Sequence, residues 1–233
     1  MEEIEILLGE AAARCQGESR PLVTLTYAQS LDGCIAAHPG QPLAVSGPLS
    51  LSLTHQLRAA HDAILVGIGT VLADDPRLTV RRVEGQHPQP VVVDSQLRFP
   101  LDANLLKHHP LPAWIATGEK ADRVRQRGLE RAGARVLRLP AHPNGGLDLA
   151  ALLERLGELG ITRLMVEGGA RIITSFLRER LADVLVLTVS PTLVGGVHAV
   201  GDLGETDPAC FPRLKGPGSA WRGDDLILWG ELA

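Results

Sequence analysis

The chain carries two neighbouring aspartates and two glycines within one stretch, Gly67–Arg81, which begins Gly-Ile-Gly-Thr-Val-Leu-Ala-Asp-Asp-Pro. The glycines allow a ligand to approach the main chain closely, and Thr70 could donate a hydrogen bond to a phosphate. A dinucleotide-binding fingerprint needs a third glycine where Leu72 stands, so that match fails. Asp74 and Asp75 could end a helix before the proline, anchor a ligand by hydrogen bonds, or hold a metal ion. A metal is the weaker interpretation, because no third ligand lies nearby in the sequence.

Two further loops contain small or hydroxyl-bearing residues that suit a nucleotide. Gln29–Gly33 is typical of a tight turn, because Asp-Gly favours one, and the turn could also aim main-chain groups of Ala28 at a flat ring. Asp94 and Ser95 are ordinary turn formers as well. The alternative is a pocket for a ribose or its 2′-phosphate, in which the Ser95 hydroxyl and the nearby Arg98 would select NADP over NAD.

The segment Glu167–Ala170 places two glycines directly before a predicted helix. Free N–H groups at the start of a helix bind anions, so this turn could cradle a phosphate. Glu167 itself is poorly suited to a phosphate and better suited to a sugar hydroxyl or a pyrimidine N–H. Together, the four loops predict a protein that binds a phosphorylated or nucleotide ligand.

The elements that must position these loops alternate between short apolar strands and helices, which is typical of a mostly parallel sheet. Ligands bind beyond the carboxyl ends of such strands, where the four loops fall. The predicted strands are Leu22–Ala28, Ala63–Val66, Val91–Val93, Ala113–Ala116, Arg135–Leu139, Leu164–Val166 and Leu185–Val189. The predicted helices are Glu2–Arg14, Leu49–Ala60, Ala121–Arg131, Leu149–Leu159 and Ala170–Arg180.

Separate predictions concern the ends of the chain and one helix cap. Asp225–Glu231 is expected to form an antiparallel edge strand, and Ser46 or Ser50 is expected to cap the helix that starts near residue 49. The N-terminal helix, with a polar linker up to residue 19, is expected to be loosely attached to one α/β domain spanning residues 20–233.

The composition excludes several other classes of protein. The chain has 233 residues, 45% of them hydrophobic, and a net charge of −4, which disfavours both a disordered chain and a protein that binds nucleic acid through a basic face. Aromatic residues make up only 3%, too few for stacked nucleic-acid bases, and no apolar run is long enough to span a membrane. Three widely spaced cysteines and an acidic N-terminus favour the cytoplasm. The histidines are scattered, so no metal site is expected.

Four motifs, taken in order, carry a resemblance to one family. They are Ala28-x-Ser30-Leu31-Asp32-Gly33, then Gly67–Pro76 followed by Leu78, Thr79 and Arg81, then Asp94-Ser95-x-x-Arg98, and finally Glu167-Gly168-Gly169. From about residue 20 to the C-terminus, the chain resembles the reductase of riboflavin biosynthesis, the C-terminal half of the bacterial bifunctional deaminase–reductase. The resemblance implies a dihydrofolate-reductase-like α/β fold, with a mixed, mostly parallel sheet flanked by helices, NADPH as cofactor, and a homodimer. It also implies reduction of a phosphoribosylamino-pyrimidine to its ribitylamino phosphate.

The roles of individual residues follow from the same resemblance. The positions that match NADPH contacts are Ala28, Thr70, Asp74, Ser95, Gly168, Gly169, Ala170 and Arg171. The positions that match substrate contacts are Arg58, Leu78, Arg81 and Glu167, and the two arginines suit the 5′-phosphate. Asp74 and Glu167 are the residues that could handle a proton.

Three positions depart from the family pattern. Thr26 stands where a lysine is usual, and Pro42 and Ala44 stand before the first long helix in place of other residues. Because these positions concern the substrate more than the cofactor, two alternatives remain open. One is a reductase of the same fold that acts on a pterin or another imine, and the other is a non-catalytic nucleotide-binding module. The chain contains no zinc-deaminase motif, so it is not expected to catalyse the preceding deamination.

Overall fold

The computed structural model describes residues 1–41, 43–142 and 145–233. Within these ranges the α-helices are α1 (Glu2–Arg14), α2 (Pro48–Ala59), α3 (Ile68–Asp74), α4 (Asn104–Lys107), α5 (Arg123–Arg131), α6 (Leu149–Glu158) and α7 (Ala170–Arg178). The strands are β1 (Leu22–Ser30), β2 (Cys34–Ala36), β3 (Ala63–Gly67), β4 (Gln89–Val93), β5 (Trp114–Gly118), β6 (Arg135–Leu139), β7 (Arg163–Glu167), β8 (Val184–Ser190), β9 (Val197–His198), β10 (Leu214–Arg222) and β11 (Asp225–Leu232). No helix among the described residues is long and apolar enough to cross a membrane.

Nine of these strands form one sheet, in the order β10-β11-β8-β1-β7-β3-β4-β5-β6. The seven strands from β8 to β6 are parallel to one another, whereas β11 is antiparallel to both β8 and β10. Short strands β2 and β9 pair separately. The predicted fold class, an α/β protein with a mixed, mostly parallel sheet flanked by helices, is confirmed.

Helices cover both faces of the sheet, which explains why the central strands are apolar throughout. In β3 every residue is buried. Ile64 belongs to the same apolar cluster as Leu57 of α2, and the next residue, Leu65, belongs to a second cluster that contains Phe176 of α7. Because successive side chains of a strand point to opposite faces, β3 contributes to both halves of the core.

The N-terminal helix α1 is part of the core. Ile4, Leu8 and Ala11 are each no more than 3% exposed and lie in the cluster that includes α2 and β11. Arg14 at the end of α1 also pairs with Glu231 of β11, with Nη2 and Oε1 2.5 Å apart. The expectation of a loosely attached helix is therefore wrong.

Two local predictions also need correction. The C-terminal strand β11 is antiparallel as expected, but it is not the edge of the sheet, because β10 pairs along its outer side. Neither Ser46 nor Ser50 caps α2, which begins at Pro48 after Gly47 without a side-chain cap. Instead, the N–H of Gly47 donates to Oδ2 of Asp225 at 2.8 Å, so that β11 holds the start of α2.

Candidate functional site

The predicted site residues lie along the edge of the sheet where the parallel strands have their carboxyl ends. Glu167 is the last residue of β7, and its register partner on β1 is Thr26. Gly67 ends the neighbouring strand β3 and leads directly into α3. The ends of β1, β7 and β3 therefore bring the first, second and fourth predicted loops to one place.

The turn between β7 and α7 is shaped by two glycines in the left-handed region. Gly168 has φ 81° and Gly169 has φ 87°, and Gly169 is the N-cap of α7, which has no side-chain cap. A Cβ at Gly169 would lie 3.1 Å from Oγ1 of Thr70, so α3 and the start of α7 are immediate neighbours. A Cβ at Gly67 would lie 2.8 Å from a side-chain carbon of Ile172, so this glycine lets α7 pack against β3. The start of α7 therefore leaves N–H groups without a side-chain cap beside Thr70, an arrangement that suits an anion.

Arg58 and Glu167 form an ion pair at the centre of the site. Nε of Arg58 donates to Oε2 of Glu167 at 2.8 Å, Nη2 donates to Oε1, and Nη1 donates to the carbonyl oxygen of Thr79 at 3.1 Å. Burial alone would lower the pKa of Arg58, but the charge of Glu167 and its hydrogen bonds hold that pKa above its ordinary value. Arg58 thus uses three of its five N–H groups on protein partners. The expectation that Arg58 suits the 5′-phosphate stays a prediction, and the structure adds that its main protein partner is Glu167.

The segment after α3 places Leu78 and Arg81 differently from one another. Leu78 has a left-handed backbone, φ 51°, and its side chain is 2% exposed within the core. Any contact of Leu78 with a ligand would therefore be made by its main chain. Arg81 is exposed, and its Nη1 donates to Oγ1 of Thr79 at 2.7 Å. Although Arg81 is exposed, the surrounding protein removes some water from its guanidinium, and this desolvation lowers its pKa. The nearby charges of Arg58, Arg77 and Arg82 lower the pKa further.

The two neighbouring aspartates have separate roles. Partial burial, followed by the negative charge of Glu167, raises the pKa of Asp74 above its ordinary value. Asp75 ends α3 with φ 40°, and its Oδ1 accepts a hydrogen bond from the main-chain N–H of Asn104 at 2.8 Å. Asp74 therefore lies within electrostatic reach of Glu167, whereas Asp75 ties the end of α3 to the start of α4. Across the described residues, no cluster of three or more His, Cys, Asp or Glu side chains could hold a metal ion.

The remaining predicted cofactor residues lie at the same edge of the sheet. Ala28 is on β1, two residues beyond Thr26 and paired with Thr188 of β8. Ser95 follows β4 and is exposed. The loop that carries Ser95 is held by Asp94, which is fully buried and whose Oδ2 accepts from the N–H of Phe99 at 2.8 Å. The last two predicted contacts are the first residues of α7, Ala170 and Arg171.

Two residues near the site were not predicted from the sequence. His55 lies one helical turn before Arg58 on α2, is 4% exposed, and accepts the main-chain N–H of Arg81 at Nδ1 over 3.0 Å. Its spacing of three residues from Arg58 on a predicted helix was the available signal. Asp32 was interpreted only as part of a turn, but its carboxylate accepts from the N–H groups of Val194, at 3.1 Å, and Gly195, at 2.6 Å. Asp32 therefore ties the β1–β2 loop to the β8–β9 loop.

The three departures from the family pattern are placed as follows. Thr26 is 6% exposed beside Glu167, and Ala44 is exposed in the segment before α2. Pro42 lies outside the described residues.

Comparison with known proteins gives a consistent result across sequence and structure. Residues 21–228 match the family model described as the RibD C-terminal domain. The chain is 40% identical over 215 residues to 2,5-diamino-6-ribosylamino-4(3H)-pyrimidinone 5′-phosphate reductase of Methanothermobacter thermautotrophicus, covering 90% of this chain and 97% of that protein. It is 38% identical over 216 residues to the riboflavin biosynthesis protein RibD of Aquifex aeolicus, covering 91% of this chain but only 58% of that protein.

Solved structures show the same similarity. A riboflavin biosynthesis reductase of Saccharomyces cerevisiae superposes with a TM-score of 0.78 at 28% identity, covering 100% of both chains. RibD of Acinetobacter baumannii superposes with a TM-score of 0.81 at 25% identity, covering 96% of this chain and 61% of that one. The chain thus spans little more than half of the RibD proteins and nearly the whole length of the separate reductases.

Proposed function

Because the chain belongs to the RibD C-terminal domain family, we propose that it is a reductase of riboflavin biosynthesis that uses NADPH. Its substrate in this proposal is a phosphoribosylamino-pyrimidine, and its product is the corresponding ribitylamino phosphate. The reaction opens the ribose to an imine, which takes a hydride at C1′ and a proton at nitrogen.

One observation carries the proposal: two groups that could bind anions lie close to Glu167. The first is the uncapped start of α7, which adjoins Thr70. The second is Arg81, which lies within electrostatic reach of Glu167 and of Arg58, Arg77 and Arg82. A reductase that binds a dinucleotide next to a sugar phosphate needs an anion-binding group for each of them and a polar group between the two.

The cofactor side in this proposal is the turn between β7 and α7. The position of Cβ at Gly168 has no heavy atom within 4 Å, so the main chain of the turn is open to a pyrophosphate. The N–H groups at the start of α7 and the Thr70 hydroxyl would hold that pyrophosphate, and Ser95 would lie towards the adenosine ribose. When bound, NADPH would supply the hydride.

The substrate side assigns a separate task to each charged residue. Arg81 would bind the 5′-phosphate, which its exposed guanidinium can reach. Glu167 is fixed by Arg58 at both carboxylate oxygens and would accept a hydroxyl or N–H group of the substrate. Asp74, whose pKa is raised, would hold a proton more readily than an ordinary aspartate and deliver it to the nitrogen.

The test is to mix the purified protein with NADPH and the phosphoribosylamino-pyrimidine and to follow the nicotinamide absorbance. We expect substrate-dependent loss of that absorbance, and slower loss with NADH at the same concentration. NADPH binding without turnover would reject this substrate and leave two alternatives, a reductase of another imine and a non-catalytic nucleotide-binding module.

A second candidate is a reductase of the same fold with a different imine substrate. It is favoured by Thr26, a neutral residue buried beside Glu167 where the family usually has a lysine. Turnover of a pterin or another imine in the same assay, with none of the ribosylamino-pyrimidine, would select this candidate.

Two wider proposals rest on the sequence and the resemblance. We propose a homodimer, which light scattering of the purified protein would test against a monomer mass of 24.9 kDa. We also propose a cytoplasmic location, because the described cysteines Cys15, Cys34 and Cys210 are all free thiols.

A further inference from the structure

The segment that carries Arg81 lies outside the regular secondary structure and is held by side chains. Residues 79–81 belong to neither a helix nor a strand. The carbonyl of Thr79 accepts from Arg58, the N–H of Val80 donates to Nδ1 of His87 at 3.1 Å, and the N–H of Arg81 donates to Nδ1 of His55 at 3.0 Å. The main chain at the phosphate-side arginine is therefore positioned by side-chain partners.

His55 is suited to this task by its burial and its protonation state. It is 4% exposed on α2, which is anchored in the core through Leu53 and Leu57. A main-chain N–H can only donate, so Nδ1 of His55 must be unprotonated and the ring proton must lie on Nε2. Burial lowers the pKa of His55 to about 4, assisted by the charges of Arg58, Arg81 and Arg82 and opposed by Glu167. At neutral pH the imidazole therefore remains an acceptor.

We propose that His55 is a positioning residue, which fixes the main chain of Arg81 so that its guanidinium meets the 5′-phosphate of the substrate. This inference rests on the proposed function, because it takes Arg81 as the phosphate ligand. His55 acts through Arg81 and has no role in hydride or proton transfer. Its effect should therefore depend on the presence of a phosphate on the ligand.

The test compares three substitutions at one position. His55→Leu removes the acceptor, and His55→Gln places its amide oxygen near the position of Nε2, out of line with Arg81. His55→Asn places an amide oxygen near the position of Nδ1 and keeps an acceptor for the Arg81 N–H. Thermal unfolding and NADPH affinity of each variant report whether the fold and the cofactor side are intact. If His55→Leu does not fold, the comparison of His55→Gln with His55→Asn carries the test.

We expect KM for the phosphorylated substrate to rise about tenfold in His55→Leu and His55→Gln, the order expected for one lost hydrogen bond. His55→Asn should stay within about twofold of the parent chain, with kcat and NADPH affinity little changed in all three. The same substrate without its 5′-phosphate should show no dependence on the residue at position 55. An equal rise in KM for both substrates, or no rise for either, would overturn the inference.

A binding measurement separates this inference from the proposed function. Ribose 5-phosphate is titrated calorimetrically into the parent chain, Arg81→Ala and the His55 variants without NADPH. Binding that weakens in Arg81→Ala, His55→Leu and His55→Gln supports the positioning role, even if the pyrimidine is not turned over and the proposed function fails. Turnover of the pyrimidine, with ribose 5-phosphate binding equal in the parent and in His55→Leu, leaves the function standing and rejects the role of His55. Absence of ribose 5-phosphate binding to the parent chain also rejects it.

Discussion

Glu167, the last residue of β7, is held in place by the side chain of Arg58, which lies 109 positions earlier in the sequence. Glu167 could be named from a motif and Arg58 only from the resemblance to the family. Their pairing could not be predicted, because it depends on the way α2 packs beside β7. Fixing both oxygens of Glu167 has a consequence for the site. The carboxylate presents one orientation to a ligand, and Arg58 stabilises its charge without being free to bind a phosphate fully.

Arg81 is the residue whose substitution most directly tests the phosphate side. Arg81→Ala should raise KM for the phosphorylated substrate by about 10- to 100-fold and lower kcat by less, because a phosphate contact acts in the ground state and the transition state alike. Steady-state kinetics measures both constants. Arg178→Ala, at an exposed arginine in the last turn of α7, is the matched control and should leave both constants unchanged. An unchanged KM in Arg81→Ala would refute the role.

Leu78 shows the limit of motif matching at this scale. The motif identifies the position, but only the fold reveals that a left-handed backbone turns the side chain into the core. His55 shows the opposite case. Nothing in the sequence indicates that an acceptor is needed there, since the need arises from the main-chain N–H of Arg81, 26 positions later and outside any helix or strand.

Among the elements, the turn into α7 carries the proposed cofactor site. Gly169→Ala should weaken NADPH binding by about tenfold or more, because a Cβ at φ 87° is strained and would press on Oγ1 of Thr70. Titration of the cofactor by fluorescence measures this affinity. Gly160→Ala is a matched control, since Gly160 has φ 86° at the end of α6 and open space around its Cβ position. Equal NADPH affinity in the two variants would contradict the assignment of the turn.

The attachment of α1 gives a second prediction for an element. Leu8→Ala should lower the free energy of unfolding by about 2–4 kcal/mol, because the side chain is 2% exposed within the core. Urea denaturation measures this change. Ile6→Ala, on the same helix but 54% exposed, should cost less than about 1 kcal/mol. Equal effects of the two substitutions would mean that α1 is not packed as described.

The prediction of helices and strands succeeded where the burial of apolar residues alone determines the element. It failed where contacts with distant parts of the chain determine it. Apolar runs identified the central strands to within one or two residues at most ends, because both faces of those strands are covered. β10 was missed because its sequence contains Gly216, Pro217 and Gly218, which break a strand pattern. Gly218 is needed there because a Cβ would lie 2.4 Å from the ring of Trp229. The cap of α2 was misassigned because the N-cap is Gly47 and not a serine, and Gly47 is held by Asp225 of β11.

For the whole molecule, a buried histidine predicts loss of stability in acid. Nδ1 of His61 donates to the carbonyl of Leu57 at 2.7 Å, and Nε2 accepts from the hydroxyl of Thr24 at 2.8 Å. Burial lowers the pKa of His61 to about 4, from 6.5 in the unfolded chain. Since the folded pKa lies below the unfolded one, its stabilising contribution is complete above pH 6.5 and is lost as the pH falls towards 4.

The free energy of unfolding should therefore fall by about 2 kcal/mol from His61 alone between pH 7.5 and pH 5. Urea denaturation at the two pH values measures this loss. His61→Gln lacks the titrating group and should show a smaller difference between the two pH values, although it is less stable at both. A difference in His61→Gln as large as in the parent chain would assign the acid sensitivity to other groups.

The fold class of the whole molecule could be predicted from the sequence, but the geometry of the site could not. Alternating strands and helices identified the parallel sheet and the edge at which the proposed site lies, since that edge follows from chain direction alone. The composition excluded other classes without indicating a substrate. The pairing of α2, the segment 78–81 and β7 around Glu167 required the packed structure.

The central claim is hydride transfer from NADPH to the substrate sugar. The most direct measurement uses NADPH deuterated at both C4 positions with the phosphoribosylamino-pyrimidine, followed by mass spectrometry of the product. We predict a ribitylamino phosphate that carries a single deuterium at C1′. A product without deuterium, or oxidation of NADPH without reduction of the pyrimidine substrate, would contradict it.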